Sequence, residues 1–557
     1  MAYFSLHAYD ADVWVPEFRG LNQADIGLNP DIRFAAEAEN VETPHGVLQP
    51  QAACVPYISE NVTFGGTHRD YFPSRIETLA SFHRRWYEGT GDKTWYVCCC
   101  GGHFYQKQRG NEVPWEEIEL PGGVSAYQSS VWSWVTYEIH PQNSTDTIDV
   151  LILSNNLDGM IMIVPPDRPA TWGDYTTRTW EYASNMTWAD GASPKWQIQA
   201  IATRGMKFGV IERFKERIWA GDVAGEPDML VYSAVYDPTD WCLYTPDPDP
   251  QDPYQKEGQP EDGSGDILQP TWDGDKFCAL HKFGDQLLAF KKNRIWRVIG
   301  VSPGEFTFQE QYGGGTVYFN TVCIDKERVF FEDENGLMVY DGMSASPYKR
   351  EFVEQIWRSM NKKASDQIFA ALDHNRYYVV FPVGDSEVNN AMLVYNFDEG
   401  TILYYKDFYA EALLPLDNEL FITSSNLPGK IILMQYDSWA NKAAIGAATK
   451  WVSPWIDFGY KRITKGGFDL YFIPEVQDEA VTLHFSIQTE KKKKVKNYTV
   501  QPMTEAQRMA PKEHKGKRLH FSGNGRRFRI IIETDEGVTS PWRLIGGLQL
   551  VVETDPD

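Results

Sequence analysis

Hydrophobic residues fall in short runs separated by turn-forming residues, at 95–98, 148–153, 217–220, 286–290, 328–331, 377–381 and 419–423. Several runs are followed by a turn and a second apolar run that ends in an aromatic and a polar residue. Examples are Leu337-Met338-Val339-Tyr340-Asp341-Gly342, Met392-Leu393-Val394-Tyr395-Asn396 and Ile432-Leu433-Met434-Gln435-Tyr436-Asp437. Runs this short predict strands, and pairs of them predict hairpins. Helical periodicity is sustained in one stretch, 351–363, where Phe352, Val353, Ile356, Trp357 and Met360 share a face. The strand pairs recur: the step is 43 residues from Leu287 to Phe330, 48 to Tyr378 and 43 to Phe421. A period in the forties predicts an all-β fold, a β-propeller of about seven blades. The wider upstream spacing of roughly 54–69 residues is assigned to insertions between blades. Hairpins of similar length also build sandwiches and solenoids, but radial closure removes the exposed edges that a row of hairpins leaves.

Three parts follow from this pattern. Residues 1–75 form an N-terminal segment leading into the propeller, 76–448 the propeller, and 449–557 a C-terminal β-sandwich. The last part opens with the run at 451–459 and continues with alternating segments at 467–473, 481–489, 496–500, 518–522, 528–534 and 542–553. Residues 237–275 interrupt the repeat with 7 Pro, 11 Asp and Glu and a single Lys, and are expected to project as a long loop that adds no strand to a ladder. Asp247, Asp249, Asp252, Glu261 and Asp262 in this loop are candidate partner-docking residues. Alternating carboxylates also suit a calcium ion, although the Gly and closing Glu of a helix–loop–helix calcium site are missing. Lys491, Lys492, Lys493 and Lys494, followed by Lys496, are read as a hairpin tip. Such a tip touches phosphate or an acidic partner, or is a solvated turn that discourages edge pairing.

Composition narrows the classes. At 557 residues the chain exceeds one compact core, and 42% hydrophobic with 23% charged residues is the balance of a folded protein. No apolar stretch is long enough to span a membrane, and the N-terminus lacks the basic start and apolar run of a secretory signal. Seven Cys, three of them adjacent at Cys98, Cys99 and Cys100, do not look like a disulfide framework and point to synthesis in a reducing cytosol. The net charge of −24 argues against a general nucleic-acid-binding surface. It is unevenly spread: residues 450–557 hold 18 Lys and Arg against 14 Asp and Glu, a balance of +4, which leaves −28 for residues 1–449.

No catalytic constellation stands out. The sequence lacks a G-x-S-x-G elbow, an H-E-x-x-H pair and a phosphate loop, and Gly313-Gly314-Gly315-Thr316 lacks the Lys such a loop needs. Adjacent Cys98, Cys99 and Cys100 alternate sides on a strand and cannot chelate as a unit. A propeller glycosidase needs carboxylates converging at the mouth, and none can be singled out among 77 acids. Ala189-Asp190-Gly191 and Thr271-Trp272-Asp273-Gly274 are fragments of sialidase-type boxes in the wrong order. The expectation is a protein without enzymatic activity, cofactor or metal.

Gly20-Leu21-Asn22, followed by Ala36-Glu37-Ala38-Glu39-Asn40-Val41 and Gly46-Val47-Leu48, resembles the opening of bacteriophage virion proteins known as tail or "stabilization" proteins. Arg217-Ile218-Trp219-Ala220-Gly221, Val231-Tyr232-Ser233 and Asp237-Pro238-Thr239-Asp240-Trp241 are similar to their blade motif. Leu288-Ala289-Phe290 with Arg294-Ile295-Trp296-Arg297-Val298, and 336–342, follow the same style. The resemblance covers nearly the whole chain and implies the nozzle, or tail hub, of a short-tailed phage. Such a subunit is made in the host bacterial cytoplasm and resides in the virion tail. The family assembles as rings, commonly hexamers, beside adaptor and portal-proximal tail proteins and tail fibres. Double-stranded DNA is retained behind the ring and passes through its channel without specific binding. An acidic body suits that role, since negative walls repel phosphate. The alternative is a receptor- or glycan-binding propeller of the tail, with exposed Trp and Tyr stacking on sugar rings.

Overall fold

The computed structural model describes residues 9–24, 31–57, 62–64, 66–84, 93–110, 114–139, 148–165, 177–180, 183–189, 196–268, 274–311, 313–416, 419–457, 464–502 and 516–555. Of the sequence motifs above, Asp190, Gly191, 269–273 and 458–459 lie outside these residues.

The apolar runs are strands, and each is the second strand of a sheet. In chain order the first sheet pairs Ile76–Arg84, Lys93–Cys100, His103–Gln108 and Trp115–Glu117, extended by Val62–Phe64 and Thr67–Arg69. The second pairs Ser133–Ile139, Ile148–Asn155, Gly159–Val164 and Gln197–Ala200, and the third Phe208–Phe214, Arg217–Val223, Met229–Tyr232 and Gly265–Leu268. The fourth holds Ala279–Phe283, Gln286–Phe290, Ile295–Ile299 and Thr307–Gln311, the fifth Cys323–Ile324, Val329–Asp333, Gly336–Tyr340 and Ala345–Pro347. Phe369–Asp373, Arg376–Phe381, Ala391–Asn396 and Thr401–Lys406 make the sixth. The seventh takes Leu413–Leu416, Glu419–Ser424 and Leu427–Met434 from its own region. Its fourth strand is Cys54–Pro56, from the N-terminal segment.

Tight turns join the first two strands of several sheets. His374 and Asn375 (φ 47 and 55), and likewise Lys215 and Glu216 (φ 49 and 54), hold the left-handed conformation that a two-residue hairpin of this twist demands. Gly101-Gly102 turns the first sheet between its second and third strands. At Gly102 (φ +79) a Cβ would lie 2.3 Å from the Tyr127 carbonyl oxygen, so no other residue fits unstrained.

Both faces of each sheet are apolar, and successive sheets share their buried side chains. Cys99 packs with Leu151 and Ile163 of the second sheet, while Cys98 and Cys100 face the opposite way toward Phe421 and Ile431 of the seventh. That second contact closes the series: the seventh sheet packs on the first as the second does on the third through Ile152 and Ile218. The remaining interfaces are built in the same way by Trp219 with Leu287, Phe290 with Phe331, Phe330 with Tyr377, and Tyr378 with Ile422.

Beside several two-stranded pairs, such as Arg19–Leu21 with Phe34–Ala35 and Val41–Glu42 with Gln49–Pro50, the two ends of the chain build two further large sheets. One orders Tyr9–Val15, Trp542–Asp555, Thr464–Val476 and Lys517–Gly525; the other orders Glu37–Glu39, Lys450–Val452, Phe528–Glu533, Val481–Thr489 and Lys493–Val500. They face each other across Phe472 and Phe485, whose rings are 4.3 Å apart, and Phe468 and Phe528 at 5.1 Å. Strands from residues 1–75 thus join both of these sheets and the seventh and first of the series. The periodic stretch at 351–363 is a helix over Arg350–Arg358 followed by a tighter turn at Lys362–Gln367, with Val353 and Trp357 buried.

Candidate interaction surfaces

The acidic segment is anchored where it leaves the third sheet. Arg217, 2% exposed, donates to the carbonyl oxygens of Ser233 and Gly263, both at 2.7 Å, and to that of Glu261. Three carbonyls held by the two terminal nitrogens of one guanidinium tie both ends of the excursion to one strand. Beside it, Asp240 is fully buried and accepts from Tyr244 Oη and Lys256 Nζ, each at 2.7 Å, and from the Cys242 N–H at 2.9 Å. Burial pushes its carboxyl up, but Lys256 and the two further donors outweigh this and hold it below the usual range.

The expectation that this segment contributes no strand is corrected. Gly265–Leu268 pairs with Met229–Tyr232 as the fourth strand of the third sheet, because residues 261–269 carry no proline and leave Gly-Asp-Ile-Leu free to pair. Leu243–Thr245 and Gln255–Glu257 form a small parallel pair outside it. Asp247, Asp249, Glu261 and Asp262 are exposed and Asp252 half-buried. The carboxylates of Asp249 and Asp252 serve local turns: Asp249 accepts from the Gln251 N–H and Asp252 from the Tyr254 N–H, both at 2.9 Å. Among the described residues no three His, Cys, Asp or Glu side chains come together as metal ligands.

The lysine run lies on a sheet edge. Lys491 and Lys492 occupy the turn, whereas Lys493, Lys494 and Lys496 belong to the edge strand Lys493–Val500. All five are exposed. Lys494 and Lys496 pair across to Ile487 and Phe485, which face the core, so two charges sit on the inward side of an edge and obstruct a further strand from pairing there. Lys493 reaches Glu533 at 3.0 Å, and Lys496 rests over the Phe521 ring.

A third feature was not legible in the sequence. The first strands of all seven sheets line one cavity of about 440 Å³. Its walls include Trp132, Trp134, Phe319 and Phe369, with Glu77 on the first sheet and Glu212 beside His281 on the third and fourth. Glu212 and His281 stand 3.5 Å apart, and Arg75 links Glu77 at 2.8 Å to the buried Glu411 at 3.1 Å. Burial pushes the Glu411 carboxyl up to about 7 despite Arg75. Burial pushes the thiol of Cys323, at the same cavity, up to about 12.

No protein-family model matches the chain, and no curated protein matches it. Among solved structures it is similar to β-propeller proteins. The computationally designed Ika8 protein is 10% identical over 76% of this chain and 99% of that one, with a TM-score of 0.31. The WD40 domain of Neurospora crassa Pan2 is 11% identical over 70% and 96%, TM-score 0.29. Trypanosoma rangeli sialidase is 9% identical over 90% and 94%, TM-score 0.25. With scores of this size, the propeller-type fold is carried by the chain's own four-stranded antiparallel sheets and their cyclic packing. Among the described residues no helix is long and apolar enough to cross a membrane.

Proposed function

We propose that this chain is a structural subunit of a short-tailed phage tail. In this reading it is a seven-bladed propeller closed by the N-terminal strand Cys54–Pro56 and joined to a C-terminal β-sandwich. Copies stand in a ring, with six favoured by the family resemblance, around the channel that retains the genome and passes it into the host. The observation that carries the proposal is the segregation of charge onto two exposed elements. The acidic excursion is anchored by Arg217 on a body of net −28, and the lysines at 491–496 lie on an edge strand of a tail part of net +4. A surface of one sign on one part and its complement on another joins copies head to tail, and a head-to-tail contact that closes is a ring. The acidic body lets DNA slide past without adhering. Adaptor and portal-proximal proteins and tail fibres are the neighbours the role requires.

The test is the mass of the purified full chain by light scattering at low and high salt, with imaging of the particles. A closed ring at low salt is expected, and the charge reversals Lys491→Glu, Lys492→Glu and Lys494→Glu together should shift it to monomer at the same ionic strength. Rings indifferent to both salt and these reversals would remove the charge-pairing argument, and a chain that stays monomeric in the presence of its tail partners would end the proposal.

A further inference from the structure

The outer face of the four-stranded sheet that begins with Tyr9–Val15 carries side chains in register. Trp14 pairs across to Gln549, and Gln549 to Tyr471, which in turn pairs to Arg518. One step along, Asp12, Val551, Asp469 and His520 form the parallel row. The opposite face takes Val15, Phe468, Leu470, Phe472, Leu548, Leu550 and Val552 into the core, which fixes the first two rows outward. Trp14 is 64% exposed on this face. Asp469 lies 2.6 Å from Arg518 and 3.0 Å from His520, so the polar groups beside the rings are held in place.

Two strand spacings put Trp14 and the half-buried Tyr471 roughly 10 Å apart on this face, with Gln549 between them. Aromatic faces spaced this way match alternate rings of an extended sugar chain, whose C–H faces stack on the negative ring face while hydroxyls meet amide, carboxylate and guanidinium. A protein partner would need a desolvated apolar centre. Trp14 is the one large hydrophobic side chain exposed among the described residues of this sheet. The flanking groups are Asp12, Asp469, Arg518 and His520, a mixture without the basic cluster a polyanion requires. We propose that this face binds an extended, uncharged polysaccharide, with Trp14 and Tyr471 stacking on alternate rings and Gln549, Asp469 and Arg518 bonding its hydroxyls. In a β-1,4-linked chain each sugar is turned over relative to the last, so the same ring face recurs at every second residue.

Titration calorimetry of the full chain with cellohexaose and with chitohexaose tests this independently of ring formation. Binding of at least one is expected, weakened tenfold or more by Trp14→Ala and by Tyr471→Ala, retained in Tyr471→Trp and unchanged in Lys494→Glu. Trp14 lies outside the core, so its variant should melt as the parent does. Absence of binding to both sugars overturns the proposal, as does binding that Trp14→Ala leaves intact. Loss of ring assembly in Trp14→Ala without loss of sugar binding would assign the face to a protein neighbour instead.

Discussion

At the scale of single residues, the fold keeps several acids out of water, and these set its response to pH. Glu42 is 3% exposed and accepts from Tyr405 Oη at 2.9 Å. Burial, offset in part by that hydrogen bond, pushes its carboxyl up to about 7. Because the folded value lies above the unfolded one, the contribution of Glu42 is fully present below pH ~4.5 and is lost as pH rises toward 7. The loss amounts to roughly 3 kcal/mol at most. Glu42→Gln keeps the shape and an acceptor for Tyr405 but cannot ionise. Chemical denaturation at pH 5 and pH 8 should show a fall in stability for the parent chain that is smaller, by up to that amount, in the variant. An identical fall in both would place the titration elsewhere. Glu332 is a stronger case of the same kind: burial drives its carboxyl well above its ordinary range.

At the scale of elements, the hairpin turns decide where each sheet folds back, and glycine is required only where backbone approaches. Gly102 and Gly110 both have positive φ, 79 and 74. A Cβ at Gly110 meets nothing within 4 Å, whereas at Gly102 it meets the Tyr127 carbonyl oxygen at 2.3 Å. Gly110→Ala should therefore cost about 1 kcal/mol, the strain of the left-handed conformation alone. Gly102→Ala should cost roughly 2–4 kcal/mol, since that strain is joined by a clash with rigid backbone. Urea denaturation of the two variants side by side measures the difference, and equal costs would mean that the 127 loop yields freely. The same scale explains the acidic excursion. Proline keeps 246–260 out of the ladder, and the chain rejoins the third sheet at Gly265 within the proline-free stretch 261–269.

For the whole molecule, the terminal parts are mutually dependent. Val15, Phe18, Leu21, Ala35, Ala38 and Val41 from the N-terminal segment are buried in the core shared with the C-terminal sheets. Phe18 meets Trp451 edge-on with ring centroids 5.2 Å apart. Six such side chains, at about 1–3 kcal/mol each, approach the whole stability of a domain. Residues 449–557 expressed alone should therefore lack a cooperative melting transition and near-ultraviolet dichroism. Adding a segment covering 9–42 in trans should restore both. A fragment that folds by itself would show that those six contacts are dispensable.

The sequence by itself determined the strands and their repeat. Runs such as 286–290 and 481–489 coincide with the observed strands because alternation and turn residues are local properties of the chain. It also indicated that Cys98, Cys99 and Cys100 cannot act together, since a strand sends neighbours to opposite faces. Only the tertiary structure decided which distant segments pair. Nothing local in Cys54–Pro56 marks it as the last strand of the seventh sheet, or Tyr9–Val15 as the partner of Trp542–Asp555. The exposure of Trp14 follows from that second pairing. Its neighbours Val13 and Val15 turn to the core, and the face it shares with Tyr471 is assembled from strands more than 450 residues apart. The cavity at the centre has the same origin, being lined by one strand from each sheet. Local patterning fixes the elements because each strand alternates on its own, whereas a surface or cavity exists only once pairing and closure bring remote strands side by side.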